Sequence, residues 1–437
     1  MTTVSAAVPR CLVPLEVALS QHSCGRQLKR QNLANVRSPV IEYNRISAGL
    51  LVSDHFMSRT IPKSAPGETN QRFRVALLGA GNIAEGHAPA LRSLPELVET
   101  VAVCDVDLKR AQAARKQYGI PAAFDRLDVM LERARPDVVH VLLPPELHAE
   151  GAEECLSAGA HVFMEKPFCV TVEECRRVHN LAQRNGLQIG VNHNVVFMPA
   201  FLDLIQAIRA CRFGAIEQVQ AMFTAPMPNL ETASPKHWMF TTPGRIMLEI
   251  GPHPLSMCVR LVGRPMRATA AVSGDVTLSN GVRFFKHWQT SLVCERGNAQ
   301  CTFSVGGAHQ AIALHVLGED AQAFVDLRRN SLLIIEKTHY PRLDDMVNGW
   351  KNSLAMARRH LRNLKSYSLG AIGIAPRYDQ QSFSFRASIA AFYRALAAGE
   401  TPRIDAAEGT AVVEACQMTI DSALNRVDVR EERVVAI

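Results

Sequence analysis

Gly79, Gly81 and Ala84 lie in the stretch RVALLGAGNIAEGH, which runs from Arg74 to His87. An apolar run enters a glycine turn, and a helical pattern follows. Gly79 permits the tight turn, Gly81 lets backbone come close to a pyrophosphate, and Ala84 is small enough for a helix to pack on a strand. A helix opening at Asn82 and Ile83 presents N–H groups and partial positive charge to an anion. Asp105 follows the apolar run ETVAVC, 26 residues after Gly79. A carboxylate there can accept hydrogen bonds from a ribose hydroxyl. Strand, turn, helix and acid in this order point to dinucleotide binding.

Other residues suit proton transfer. Lys166 ends the apolar HVFME and precedes Pro167. A lysine at a strand end is ordinarily a solvated charge, but at a ligand crevice it can serve as an acid/base. In LEIGPHPLS, Pro252 is tolerated in a helix's first turn, so the stretch is expected to turn into the helix PLSMCVRLVG. Glu249 and His253 would then face one side, the histidine passing a proton and the carboxylate orienting it. A capping glutamate and a packing histidine are the plainer alternative. Metal ligation is not expected, because there is no H-E-x-x-H and no Cys/His cluster with zinc spacing. P-loop and G-x-S-x-G signatures are absent too.

The elements that must hold these residues are legible as a rhythm. From Phe73, short apolar strands alternate with helical stretches as far as LQIGV, which implies β-α-β units and a doubly wound parallel sheet. Ligands of such sheets bind at the carboxyl ends of the strands. After Pro199 the strand-like segments follow one another closely, which implies a largely antiparallel sheet, and helical stretches close the chain. The expected fold is therefore α/β: an N-terminal Rossmann domain over 71–195 and a C-terminal α+β domain with an open sheet over 196–437. Residues 1–70 lack a lasting period, end in the linker-like IPKSAPGETNQR and are expected to be a poorly ordered extension. Met57 offers a second start, and deleting residues 1–56 is expected to leave cofactor binding unchanged.

Composition bounds the function. The chain has 437 residues, 47% hydrophobic and 20% charged, as in globular proteins. Eleven cysteines without a C-x-x-C pair suggest reduced thiols in a cytoplasm. Lys/Arg outnumber Asp/Glu by eight to four in residues 1–70 and by 40 to 37 in the rest, which is no nucleic-acid footprint. In WKNSLAMARRHLRNLKSY an apolar helical stripe comprises Trp350, Leu354, Ala357, Leu361 and Leu364. The opposite face is expected to carry Lys351, Arg358, Arg359, Arg362 and Lys365. Such a face is ordinarily solvated; the sharper reading is contact with a phosphate, a nucleotide-sugar diphosphate or an anionic membrane.

Five motifs, in order over roughly residues 72 to 430, resemble the glucose–fructose oxidoreductase / inositol dehydrogenase (Gfo/Idh/MocA) family. GAGNIAEGH resembles its opening fingerprint, including His87, and CDVD its ribose-binding strand end. LLPPELH resembles its T-P-x-x-x-H with Leu143 for Thr, and GAHVFMEKP its E-K-P at Glu165, Lys166 and Pro167. LEIGPHPLS resembles D-x-G-x-H-x-x-D, with Glu249 and Ser256 replacing the two Asp. The resemblance implies a nicotinamide-dependent oxidoreductase that moves hydride to or from a hydroxyl or ketone of a sugar, cyclitol or sugar derivative. The implied catalytic residues are Lys166, His253 and Glu249. The implied cofactor residues are Gly79, Gly81, Asn82, Ile83, Asp105, Leu143, Pro144, His148, Glu165 and Lys166. Asn192, His193 and Asn194 would hydrogen-bond substrate hydroxyls. Asp105 favours NAD over NADP, with Lys109 and Arg110 judged a turn too far to matter. A homo-oligomer, dimer or tetramer, is implied, and membrane-surface contact is not expected. Two alternatives stay open: a nucleotide-sugar reductase or dehydrogenase of polysaccharide or deoxysugar synthesis, and an NAD-binding sensor or scaffold without catalysis.

Overall fold

The computed structural model describes residues 72–227, 237–337, 340–372 and 380–435. The expectations for residues 1–70 lie outside them.

Strand β1 (Phe73–Leu78) buries both faces. Val75 and Leu77 belong to one apolar cluster, Ala76 and Leu78 to another. A strand buried on both sides needs helices above and below it, as in a parallel sheet. The chain supplies them in alternation: α1 (Ala84–Arg92), β2 (Val98–Cys104), α2 (Leu108–Tyr118), β3 (Ala122–Phe124), α3 (Leu127–Ala134), β4 (Val138–Val141), α4 (His148–Ser157), β5 (His161–Met164), α5 (Val172–Arg184) and β6 (Ile189–Val191). The strand order is β3-β2-β1-β4-β5-β6, all parallel. This is the doubly wound order whose crevice opens where the sheet reverses direction, beyond the carboxyl ends of β1 and β4. Local chemistry sets the helix limits: Asp107 caps α2 by accepting from the Lys109 N–H, and Gly119 ends it at φ +68°.

After α6 (Pro199–Arg209) come β7 (Ile216–Ala225), α7 (Arg245–Glu249) and α8 (Pro252–Val262). The strands β8 (Pro265–Thr277), β9 (Arg283–Cys294), β10 (Gly297–Val305), β11 (Ala311–Gly318), β12 (Ala321–Asp326) and β13 (Ser331–Glu336) follow. Their sheet runs β13-β12-β11-β7-β10-β9-β8, antiparallel except for the β7–β10 pair. The α/β fold class read from the sequence is the observed one.

Three helices complete the chain: α9 (Pro341–Ala371), α10 (Gln380–Ala398) and α11 (Ala406–Val435). α10 does not stay with the second sheet. Ile389, Phe392 and Tyr393 pack in the cluster that covers β1 beside α1, so the C-terminal half lends a helix to the first layer. A division at 195 therefore misses a contribution that no local pattern reveals.

Candidate active site

The glycine turn leaves β1 at Gly79, whose φ is +106°. A Cβ there would lie 2.5 Å from the Leu142 carbonyl oxygen, so the turn presses against the end of β4 and only glycine fits. At Gly81 a Cβ would meet no protein atom within 4 Å. The space belongs to an adjoining cavity of about 480 Å³, lined among others by Gly79, Gly81, Asn82, Ile83, Asp105, Leu143 and Pro144. Seven of the ten residues expected to hold the cofactor thus share one cavity of ligand size.

Asp105 pins this end. Its Oδ2 accepts from the Ala80 N–H at 2.9 Å and its Oδ1 from the Asp107 N–H at 2.9 Å, while Arg110 Nη2 forms an ion pair with Oδ1 at 3.0 Å. One acceptor site on Oδ2 is left for a ligand hydroxyl. Arg110 also lines the cavity. The expectation that it sits a turn too far is corrected: an arginine in the first turn of α2 reaches back to the strand end it follows.

The other three expected cofactor residues lie elsewhere. His148 is fully buried, and its ring spans the Pro167 carbonyl at 2.8 Å and the Leu143 carbonyl at 2.9 Å. It ties the loop after β4 to the strand end after β5 and does not line the cavity. Glu165 is buried behind Lys166: Oε1 accepts from Asn192 Nδ2 and His87 Nε2, both at 2.6 Å, and Oε2 from the Lys166 N–H at 3.2 Å. Lys166 leads to the second cluster.

Lys166 Nζ donates to Glu249 Oε1 at 2.7 Å and to the Glu249 carbonyl at 3.0 Å. An ammonium has three donors, so one remains for a substrate oxygen. Trp238 Nε1 donates to Glu249 Oε2 at 2.8 Å, which fixes the carboxylate from its other side. Burial pushes the Glu249 carboxyl up, but the Lys166 ammonium and these hydrogen bonds outweigh it and hold it below the usual range. Glu249 makes no hydrogen bond to His253 among the described residues. It closes α7 while His253 lies in the first turn of α8, so the expected Glu–His pairing is corrected to a Glu–Lys pairing.

His253 stacks on Phe223, ring centroids 5.4 Å apart. Burial, and then the Lys166 ammonium, disfavours its imidazolium, so the ring is neutral near pH 7. His193 is 1% exposed, and neither ring nitrogen has a partner among the described residues. Burial draws its pKa down to about 4. Asn192 Oδ1 is buried and unpartnered too. Buried polar atoms without partners are rare, because each forfeits its hydration, so these point to groups a ligand would supply. Asn194 is different: its Nδ2 donates to Ser384 in α10 at 3.0 Å, which turns it from the expected substrate role to a structural one.

Sequence reasoning missed what stands behind Glu165. His87 Nδ1 lies 2.8 Å from His140 Nδ1, and His140 Nε2 lies 2.8 Å from the Tyr393 hydroxyl. Burial pushes the Glu165 carboxyl up, but the bond and charge of His87, the Asn192 amide and Lys166 bring it below the usual range. An ionised Glu165 only accepts, so His87 Nε2 carries hydrogen. Burial holds His140 neutral. Glu165 thus ends a buried chain of hydrogen bonds that runs through His87 and His140 to Tyr393, its donor directions set by the ring tautomers. The sequence signals were His87 in GAGNIAEGH and a histidine inside the apolar strand DVVHVLL. Nothing local marked Trp238 or Tyr393.

Residues 73–193 match the model of the oxidoreductase family with an NAD-binding Rossmann fold, Gfo/Idh/MocA. Those residues are this family's NAD-binding domain. The chain is an NAD-binding oxidoreductase, and the free space at Gly81, the acceptor site on Asp105 and the cavity between them fit the dinucleotide. The chain is 29% identical over 263 residues to dTDP-3,4-didehydro-2,6-dideoxy-alpha-D-glucose 3-reductase of Streptomyces violaceoruber, covering 59% of this chain and 74% of that enzyme. It is 30% identical over 201 residues to D-glucoside 3-dehydrogenase of Escherichia coli, covering 45% of this chain and 56%, about half, of that enzyme. The fold is that of the WlbA dehydrogenase from Bordetella pertussis, solved with NADH and UDP-GlcNAcA: TM-score 0.66, 19% identity, covering 82% of this chain and 97% of that one.

Proposed function

We propose that this oxidoreductase interconverts a hydroxyl and a ketone on a sugar or sugar derivative, with Lys166 and His253 handling the proton and Glu249 positioning Lys166. The observation that carries the reading is the Lys166–Glu249 ion pair, set beside the buried His193 ring nitrogens that no described residue satisfies. NAD, when bound, takes or gives the hydride. The protein's share is one proton at the substrate oxygen. The third N–H of Lys166 hydrogen-bonds that oxygen. His253, neutral and half-buried, accepts or returns the proton. His193 and Asn192 offer ring nitrogens and an amide oxygen to neighbouring hydroxyls.

A nucleotide-linked sugar is the favoured substrate form within this class. The 263-residue similarity to the dTDP-sugar reductase is longer than the 73–193 match and so reaches into the second sheet, where substrate selectivity would reside. The test is NADH oxidation and NAD reduction over a panel of free sugars, inositols, and UDP- and dTDP-sugars, with wild type, Lys166→Ala and Glu249→Gln. Turnover confined to nucleotide sugars is the expected result. Turnover on free sugars alone leaves the oxidoreductase reading and removes the nucleotide. No turnover in either direction, with NADH still bound, favours the sensor reading.

A further inference from the structure

α9 packs its polar face inward. Asn348 and Asn352 donate to the carbonyls of Glu336 and Ile334, each at 3.0 Å, and Asn363 donates to the Arg329 carbonyl at 3.2 Å. Arg359 Nη2 donates to Asp203 at 2.6 Å and to Asn330 at 3.0 Å. These side chains cap the open edge of β13, whose outward carbonyls need donors. The expectation that Arg359 shares an outer face with the other basic residues is corrected by this contact.

With the polar side spent on the sheet, the apolar stripe faces out. Leu343, Met346, Trp350, Leu354, Leu361 and Leu364 are 48%, 68%, 76%, 44%, 67% and 63% exposed. Their spacing of three, four and seven keeps them on one side for about 32 Å of helix. Lys351, Arg358, Arg362 and Lys365, all exposed, line one flank of the stripe. None of the four pairs with a carboxylate among the described residues, and the sequence has no Asp or Glu between Met346 and Ala371.

We propose that α9 seats the protein on a bilayer surface carrying anionic lipid, with Trp350 and the leucines in the acyl boundary and the four cations on lipid phosphates. An apolar face bordered by an uninterrupted cation row is the pattern of an interfacial helix. No helix among the described residues is long and apolar enough to cross a membrane, so the contact lies along the surface. A second copy packed antiparallel on this face would bring two such cation rows together. A partner helix from another protein would require charges of both signs to fix its register. A uniform cation row requires only a uniform anionic surface. This contact runs against the sequence expectation that no membrane-surface contact is made.

The test is flotation of the full-length protein with phosphatidylcholine vesicles containing about one-third phosphatidylglycerol, and with pure phosphatidylcholine. Partition should be at least about tenfold stronger on the anionic vesicles and should weaken as NaCl is raised. It should fall at least about tenfold in Leu354→Glu/Leu361→Glu, and likewise in the variant with Lys351, Arg358, Arg362 and Lys365 all changed to Gln. Both variants should bind NADH as wild type does, which certifies their fold. If a variant fails that control, the lipid and salt dependence of wild type alone decides. Absent or lipid-independent partition of wild type overturns the proposal. So does partition unchanged in the Glu variant, including the case where that variant halves the mass in solution, which assigns the face to a second copy.

Discussion

At the glycine-turn end of the site, nearly every polar group has its partner before any ligand arrives. Asp105 is held by two backbone N–H groups and Arg110, and Gly79 is wedged against Leu142. At the Lys166 end the opposite holds. Among the described residues, His193 has two buried, unpartnered ring nitrogens and His253 makes no ring hydrogen bond. The first end is built at the neighbouring ends of β1, β2 and β4, largely through backbone groups, and presents a fixed shape. The second is built from side chains brought from β5, β6, α7 and α8, and it stores unmet hydrogen-bonding capacity. A conserved-shape ligand such as a dinucleotide suits the first. A ligand rich in hydroxyls suits the second.

The contrast can be broken by substitution, and the largest effect belongs to the Lys166 end. Lys166→Ala should lower turnover by about 10²- to 10⁴-fold, the scale for losing a positioned acid/base, while NADH affinity changes by less than about threefold. Turnover within a few-fold of wild type would remove Lys166 from the chemistry. At the other end, Gly79→Ala should cost about 2–4 kcal/mol of stability in denaturant titration, because the added Cβ meets the Leu142 carbonyl at positive φ. Gly81→Ala should leave that titration unchanged and weaken NADH binding about tenfold instead, since its Cβ enters only ligand space. Equal loss of stability in both variants would mean that Gly81 serves the fold.

Asp105 sharpens the same point. Wild type should prefer NADH to NADPH by at least about 1.4 kcal/mol, tenfold in paired titrations, and Asp105→Ser should shrink or reverse the gap by freeing Arg110 for a 2′-phosphate. Equal wild-type affinities would show that the carboxylate does not read the ribose. The smallest effect concerns pH. The His193 pKa is drawn down to about 4 from 6.5, so the unfolded chain binds its proton more readily than the native protein does. Its contribution to stability is present above pH 6.5 and is lost as pH falls toward 4, at up to about 1.4 kcal/mol per pH unit. His193→Gln should flatten that limb by up to this slope. An unchanged limb would mean that His193 is not buried neutral.

The sequence by itself determined the parts whose physics is local. A strand apolar at consecutive positions must be covered on both faces, a glycine turn before a helix makes an anion cradle, and a carboxylate at the next strand end reaches that cradle. Those rules place Gly79, Gly81 and Asp105 together without knowledge of the rest of the fold. The tertiary structure alone decided which distant groups meet. Glu249 lies 83 residues from Lys166, and the sequence does not say that its carboxylate turns to the lysine rather than to His253. The chain from Tyr393 to Glu165 joins α10, β4, α1 and the end of β5, elements far apart in sequence. α9 is the sharpest case. Periodicity revealed its apolar stripe but not its direction, because the unpaired carbonyls of β13, invisible in the helix's own sequence, claim its polar side and turn the apolar side outward.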